Sequence, residues 1–373
     1  MDYRRMPIEI EAPEGLGYGN IDCNLSESSF TDQRLTDLGF GLENLVLYYG
    51  DHLGKPELRE LIASEIKGHA EEVLITPGAA AALFMVSTAL LNKGDHMVVA
   101  KSNYATNIET PRSIGANISY LPMKFENQYA LDLDELDNLI TEKTKLVSLT
   151  YPHNPTGVMI DEKTLRRIIE MIERKSCFLL FDETYREMSF VPKLPVAAAL
   201  SDRVISVGSM SKSFGLPGIR IGWIICRGKK MMETLLAAKE QILITNSVID
   251  EEIAFRYLSN KERIFPDVQK IIRSNFETLK NFMLNQESLE WVEPQGGCVC
   301  FPRIKKEISL DMKRFHDELL LTFRTYVGRG HWFEENERHI RIGYSWETNE
   351  KLQRGLKNIL KVIEEIRIPG QGI

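Results

Sequence analysis

The chain has 373 residues, 43% of them hydrophobic and 27% charged, an ordinary globular composition that excludes a disordered, coiled-coil or fibrous protein. Its length exceeds the size at which one hydrophobic core stops growing, so a large domain plus a smaller one is expected. A formal net charge of -7, with no block of five like charges, leaves no electrostatic footprint for nucleic acid or an anionic membrane and points to a small-molecule partner.

In chain order, the first thirty or so residues are rich in Gly, Pro and Ser and poorly periodic, which predicts an extended arm. PIEIEAPEG follows Arg4 and Arg5 where a signal peptide would need an apolar stretch. No run of about eighteen apolar residues follows either, so a soluble, cytoplasmic protein is expected. From about residue 70, short apolar runs alternate with amphipathic segments, the signature of parallel strands joined by crossover helices. The predicted strands are VLIT (73–76), HMVVA (96–100), ISYLP (118–122), KLVSLT (145–150), CFLLFD (177–182), RVISVG (203–208) and IRIGWIIC (219–226). Between them, Leu165, Ile168, Ile169 and Ile172 recur at helical spacing after Asp161 as N-cap.

After about residue 270 the texture becomes a helical stretch, a strand-like GGCVCFPR (296–303), an amphipathic helix near 310–321 and a strand HIRIGYS (339–345). The expected organisation is an arm with part of the small domain over 1–44, a large domain over 45–270 and a small α+β domain over 271–373. Cys23, Cys177, Cys226, Cys298 and Cys300 are odd in number and lack a paired zinc spacing, so neither a disulfide framework nor a metal site is predicted.

In open α/β sheets ligands sit beyond the carboxyl ends of the strands, and the unusual residues cluster there. TPGAAAAL joins a strand to a helix through Gly78, and the amides of Ala79 and Ala80 would open a helix N-terminus able to bind phosphate. Tyr104, in KSNYATN, is a candidate stacking face. TYPHNPTG places Asn154 in a Pro-bounded turn, either as a hydrogen-bonding group or simply as a turn residue. CFLLFDETY puts Asp182 at the end of a buried strand, where a carboxylate is costly unless it pairs with a cation or caps a helix, with Tyr185 close behind. SVGSMSKSFGLPGIRIGW surrounds Lys212 with Ser209, Ser211 and Arg220.

Pyridoxal 5'-phosphate (PLP) asks for four things: a lysine for its aldehyde as a Schiff base, an anion at its pyridine nitrogen, an anion cradle for its phosphate and a face to stack on. Lys212, Asp182, the Ser209/Ser211/Arg220/Ala79/Ala80 group and Tyr104 are a candidate for each, with Asn154 and Tyr185 within reach of the ring oxygen.

Asn-Pro-Thr-Gly, Asp-x-x-Tyr, Ser-x-Ser-Lys and an arginine eight residues after the lysine are individually modest. Jointly, in order and spacing, they resemble the class I/II aminotransferases over about residues 45 to 345. The resemblance implies an α/β, fold-type I PLP-dependent transferase with a mostly parallel central sheet flanked by helices and a smaller α+β domain. It implies that Lys212 acts as general acid and base, and that Arg341, in HIRIGYS, grips the substrate α-carboxylate. It also implies a homodimer with shared active sites, because YYGDHLGKPELRE resembles the family segment whose tyrosine, here Tyr49, reaches the phosphate of the neighbouring subunit.

NLSESSF stands where many relatives carry a Gly-containing turn, and Asp51-His52 falls in the segment expected at the dimer interface. The PHNPTG turn, the LPGIRIGW stretch and the arm are also similar to capreomycidine synthases, relatives that cyclise a hydroxylated arginine. The expected activity is therefore transamination of an L-α-amino acid, with elimination and cyclisation of an arginine derivative as the alternative. Some of Glu9, Glu11, Glu27 and Asp51 are expected to recognise a guanidinium, since a fixed carboxylate suits that planar fork.

Overall fold

The computed structural model describes residues 1–367. A seven-stranded sheet runs in the order Val73–Thr76, Gly222–Ile225, Val204–Ser209, Phe178–Asp182, Thr144–Thr150, His96–Lys101, Asn117–Pro122. Gly222–Ile225 is antiparallel to both its neighbours, and the other strands run together. Alternation along each strand feeds two cores. Val98, Val147, Leu179 and Phe181 pack with Leu165, Ile168 and Ile172 of the helix Glu162–Lys175. Val99, Leu146, Leu180, Ile205 and Val207 pack instead with Leu83, Val86 and Leu235 of the helices Ala79–Leu90 and Lys229–Glu240. Both faces are covered, which is why these strands read as continuous apolar runs. Asp161 caps its helix as expected, its Oδ1 accepting from the Thr164 amide at 2.7 Å.

A second, four-stranded sheet has the order Cys23–Leu25, Thr325–Arg329, Ile340–Gly343, Val299–Cys300. The long helix Lys261–Leu284 and the C-terminal helix Asn349–Ile366 pack together beside it. The arm departs from the extended reading: Pro7–Ile10 and Pro13–Leu16 are single helical turns, and Cys23–Leu25 is an edge strand parallel to Thr325–Arg329. That pairing joins residues 300 apart, so no local pattern announces it. The predicted strand over 219–226 is also shorter, because Pro217–Ile219 forms a tight turn and Arg220 adopts φ 49° before Gly222–Ile225 begins. GGCVCFPR divides between two sheets, Val299–Cys300 pairing with Ile340–Gly343 and Arg303–Ile304 with Leu289–Glu290. All five cysteines are buried free thiols. Among the described residues, no helix is long and apolar enough to cross a membrane.

His153 pins the Asn154 turn to the sheet. Its Nε2 donates to the Ser102 carbonyl at 2.8 Å, and its Nδ1 accepts from the Thr156 hydroxyl at 2.7 Å. Burial pushes this imidazole down to about 4. The unfolded chain takes up the proton near pH 6.5 and the native protein only near 4, so the unfolded state binds more protons between those values and stability falls as pH drops through that window. The difference is worth about 3 kcal/mol. Chemical denaturation from pH 7 to 4 should therefore show a shallower loss of stability in His153→Asn than in the parent; identical slopes would remove His153 from the acid transition.

Candidate active site

The carboxyl ends of Thr144–Thr150, Phe178–Asp182 and Val204–Ser209, the start of the helix Ala79–Leu90, the strand Ile340–Gly343 and the arm enclose a cleft of about 320 Å³. It gathers Ala79, Ala80, Tyr104, Asn154, Asp182, Tyr185, Ser209, Ser211, Lys212, Arg220 and Arg341, together with Glu9 and Glu27. A second cavity of about 340 Å³ lies behind the strand Val204–Ser209. Its cations are already paired: Arg186 sits 2.9 Å from Glu65 and 3.3 Å from Glu187, and Lys261 sits 3.1 Å and 3.0 Å from the same two carboxylates.

Lys212 stands three residues beyond its strand, its Nζ donating to the Ser28 hydroxyl at 3.2 Å. The arm holds this loop from outside, with the Phe30 amide donating to the Lys212 carbonyl and the Gln33 amide to the Gly215 carbonyl, both at 2.9 Å. Gly215 makes that approach possible, since at φ +65° a Cβ there would lie 2.3 Å from the Thr31 carbonyl oxygen.

Beside the lysine is an anion cradle. Ser209 Oγ lies 3.0 Å from Ser211 Oγ, Arg220 Nη1 lies 3.4 Å from the same hydroxyl, and the helix beginning at Ala79 directs its first amides to the same place. Gly78, at φ +83°, is the hinge: a Cβ there would stand 2.5 Å from Arg220 Nη2.

Asp182 is buried at the strand end, one carboxylate oxygen accepting from the Thr184 amide at 3.0 Å and the Thr184 hydroxyl at 2.6 Å. Burial holds its carboxyl above the usual range, against the pull of Thr184 and the Lys212 charge. No cation of the described residues forms a salt bridge with it. The Tyr185 and Tyr104 hydroxyls are likewise raised by burial.

Arg341 is 3% exposed. Its Nη1 donates to Asn154 Oδ1 at 3.2 Å and its Nη2 to the Ser26 carbonyl at 2.6 Å, while Nε is buried without a partner. No carboxylate of the described residues forms a salt bridge with this guanidinium, and burial holds it below its ordinary value. A buried anion awaiting a cation, a buried guanidinium awaiting a carboxylate and a phosphate cradle a Cβ would fill are the donor set PLP and an amino acid require, so the residues fit that cofactor.

Of the carboxylates expected at a guanidinium, Glu9 and Glu27 line the cleft. Glu27 accepts from the Tyr18 hydroxyl at 3.2 Å, and burial raises it while Lys212 and Arg341 pull it down. Two others lie elsewhere in the protomer. Glu11 is taken by Trp332, whose Nε1 donates to it at 2.6 Å, and Asp51 is paired with Arg59 at 3.2 Å and caps the Leu53 amide. Neither lines this cleft. Tyr49 is 84% exposed and also outside its own protomer's cleft. Sequence reasoning passed over Glu14, Tyr18, Ser28, Asp32, Thr184 and Trp332, all of which line it. Only Thr184 carried a local signal, a hydroxyl two residues after a strand-end Asp.

The family model described as aminotransferase class I and II matches residues 22–359. Capreomycidine synthase of Streptomyces vinaceus is 28% identical over 321 residues, covering 85% of this chain and 81% of that protein. Aspartate aminotransferase of Pyrococcus abyssi is 28% identical over 375 residues, covering 95% and 92% respectively. The crystal structure of a PLP-dependent aminotransferase from Streptococcus suis matches the fold with a TM-score of 0.90 at 24% identity, over 98% of this chain and 100% of that one.

Gly78→Ala, which forces an L side chain into the Arg220 guanidinium, should weaken PLP binding at least tenfold in an absorbance titration while leaving the far-ultraviolet circular dichroism intact. An unchanged dissociation constant would count against the cradle.

Proposed function

We propose that this chain, which belongs to the aminotransferase class I and II family, uses PLP to transfer the amino group of an L-α-amino acid whose side chain carries a positive charge. The observation that supports the reaction is the convergence of Lys212, Asp182 and Arg341 on one cleft, the last two buried and without an internal counter-ion.

PLP, held at its phosphate by Ser209, Ser211, Arg220 and the Ala79 and Ala80 amides, supplies an electron sink that acidifies the α-proton of the amino acid. Asp182 would set a negative charge against the pyridine nitrogen, and Asn154 and Tyr185 would offer hydrogen bonds to the ring oxygen. With Asn154 Oδ1 already accepting from Arg341, the Asn154 amide nitrogen is the donor left to that side chain. Lys212 Nζ would hold the aldehyde, and its amine is the base placed to take up the α-proton and return it. Arg341 grips the α-carboxylate, which orients the amino acid. Tyr104 supplies a flat wall. Tyr49, exposed on its own protomer, suits the reading that it completes the phosphate site of a second copy in a homodimer. A cytoplasmic location suits five buried, reduced cysteines.

The preference for a cationic side chain rests on charge. The cations lining the cleft are Lys212, Arg220 and Arg341, each assigned above, whereas Glu9, Glu14, Glu27 and Asp32 line it with no role in the cofactor site. An acidic side chain would be repelled there and a guanidinium held. The same pocket favours a second reading, elimination of a leaving group from a hydroxylated arginine followed by internal attack of a guanidine nitrogen, as the likeness to capreomycidine synthase suggests. Both need the same residues around the α-carbon.

Lys212→Ala should abolish the visible absorbance band of the holoenzyme, and an unchanged band would remove the lysine from its role. Mass spectrometry of products from an amino-acid panel, with and without 2-oxoglutarate, separates the two reactions: product without an acceptor indicates cyclisation. Glu27→Gln should raise KM for the arginine-class substrate about tenfold, roughly 1.4 kcal/mol, and leave KM for a neutral amino acid within twofold. Equal effects on both would overturn the charge preference.

A further inference from the structure

We propose that Glu11 is a positioning residue that clamps the arm onto the segment Gly330–Phe333 and so builds the wall of the cleft that faces the substrate side chain. The inference rests on the proposed function for its kinetic reading, although the clamp itself can be measured without turnover.

Three nitrogens converge on one oxygen. Glu11 Oε2 accepts from Trp332 Nε1 at 2.6 Å, lies 3.1 Å from His331 Nε2 and lies 3.6 Å from Arg329 Nε, an atom buried without any hydrogen-bond partner. The Glu11 carbonyl accepts from the Tyr326 hydroxyl at 2.8 Å. His331 is itself held from its other side, its Nδ1 2.8 Å from Glu337. Backbone and side chain of one residue thus tie the arm to the strand Thr325–Arg329 and to the turn that follows it.

The arm depends on such a tie. Pro7–Ile10 and Pro13–Leu16 are four residues each and neither has a side-chain cap, far below the length at which a helix persists alone. Glu11 lies between them. Glu9 on the first and Glu14 on the second line the cleft, with Ile8, Ala12 and Pro13, whereas Glu11 points away and reaches the cleft only through Trp332. The Trp332 ring in turn lies 5.8 Å from the Arg341 guanidinium carbon. Downstream, the arm is next secured at Tyr18, whose ring stacks on Trp346, and at Gly19, whose carbonyl accepts from the Arg324 guanidinium, so residues 12 to 17 form an arch whose upstream foot is Glu11. Releasing that foot frees the carboxylates expected to meet the substrate side chain and leaves Lys212, Asp182 and the phosphate cradle untouched.

The test compares parent, Glu11→Gln and Trp332→Phe holoenzymes, with a glutamate-specific protease and mass spectrometry following release of the fragment ending at Glu14. Glu11→Gln should release it at least tenfold faster, keep the visible absorbance band, and raise KM for arginine about tenfold with kcat within twofold. Trp332→Phe should move cleavage in the same direction, and the double variant should cleave no faster than the faster single one, because both changes break one contact. Unchanged cleavage in Glu11→Gln would overturn the clamp, as would loss of the absorbance band, which would place Glu11 in the cofactor site. A parent enzyme that turns over no amino acid would defeat the proposed function instead, and the cleavage contrast would still decide the clamp.

Discussion

Two buried charges without internal partners organise this molecule. Asp182 and Arg341 are each about as enclosed as a core leucine, yet no described residue neutralises either. Withdrawing an ion from water into a protein costs several kcal/mol even after relaxation. Unmatched, that cost falls on the fold, and only the double-sided core of the large sheet and the helices beside the second sheet can carry it. The cost is recovered when a ligand bearing a cationic ring nitrogen and a carboxylate enters, so the same energy that weakens the bare protein becomes selective affinity. Thr184 and Asn154 moderate the penalty by hydrogen bonding, and neither removes it.

Much of this was legible in the sequence for a physical reason. Strands buried on both faces are apolar throughout, so their ends stand out, and the chemistry of an open α/β sheet gathers at those ends. Asp182 ends such a run, Lys212 and Asn154 stand three and four residues beyond one, and Gly78 marks the strand-to-helix turn. The arm was not legible. Its strand pairs with residues 300 positions away, and its helices are single turns with no periodicity to detect. For the same reason a count of acidic residues could propose Glu9, Glu11, Glu27 and Asp51 together but could not divide them. Division required knowing that Trp332 and Arg59 lie beside Glu11 and Asp51.

The split between what was and was not legible follows a division of labour along the chain. The groups around the cofactor come from residues 78 to 220, whereas the carboxylates left for a substrate side chain, Glu9, Glu14, Glu27 and Asp32, all come from the first 32 residues. On the proposed function, proton removal at the α-carbon is set by the first group, and the fate of the resulting carbanion by what the second group holds in place. A family can thus keep its cofactor chemistry while the arm alone changes the substrate.

The two groups are nevertheless mechanically joined. Gly343 ends the strand that carries Arg341, and a Cβ there would stand 1.7 Å from the Glu27 carbonyl oxygen, so the arm crosses the carboxylate-binding strand at backbone contact. Gly215 allows the same closeness between the arm and the Lys212 loop. Packed this tightly, the arm between Glu27 and Thr31 cannot shift without carrying either Arg341 or Lys212 with it. Glu27 therefore keeps a fixed distance from the two groups proposed to hold the α-carboxylate and move the α-proton, and on that proposal the length of an acceptable side chain is measured from that fixed point rather than from a flexible wall. The clamped arch from Glu11 to Tyr18 closes the far end of the same ruler.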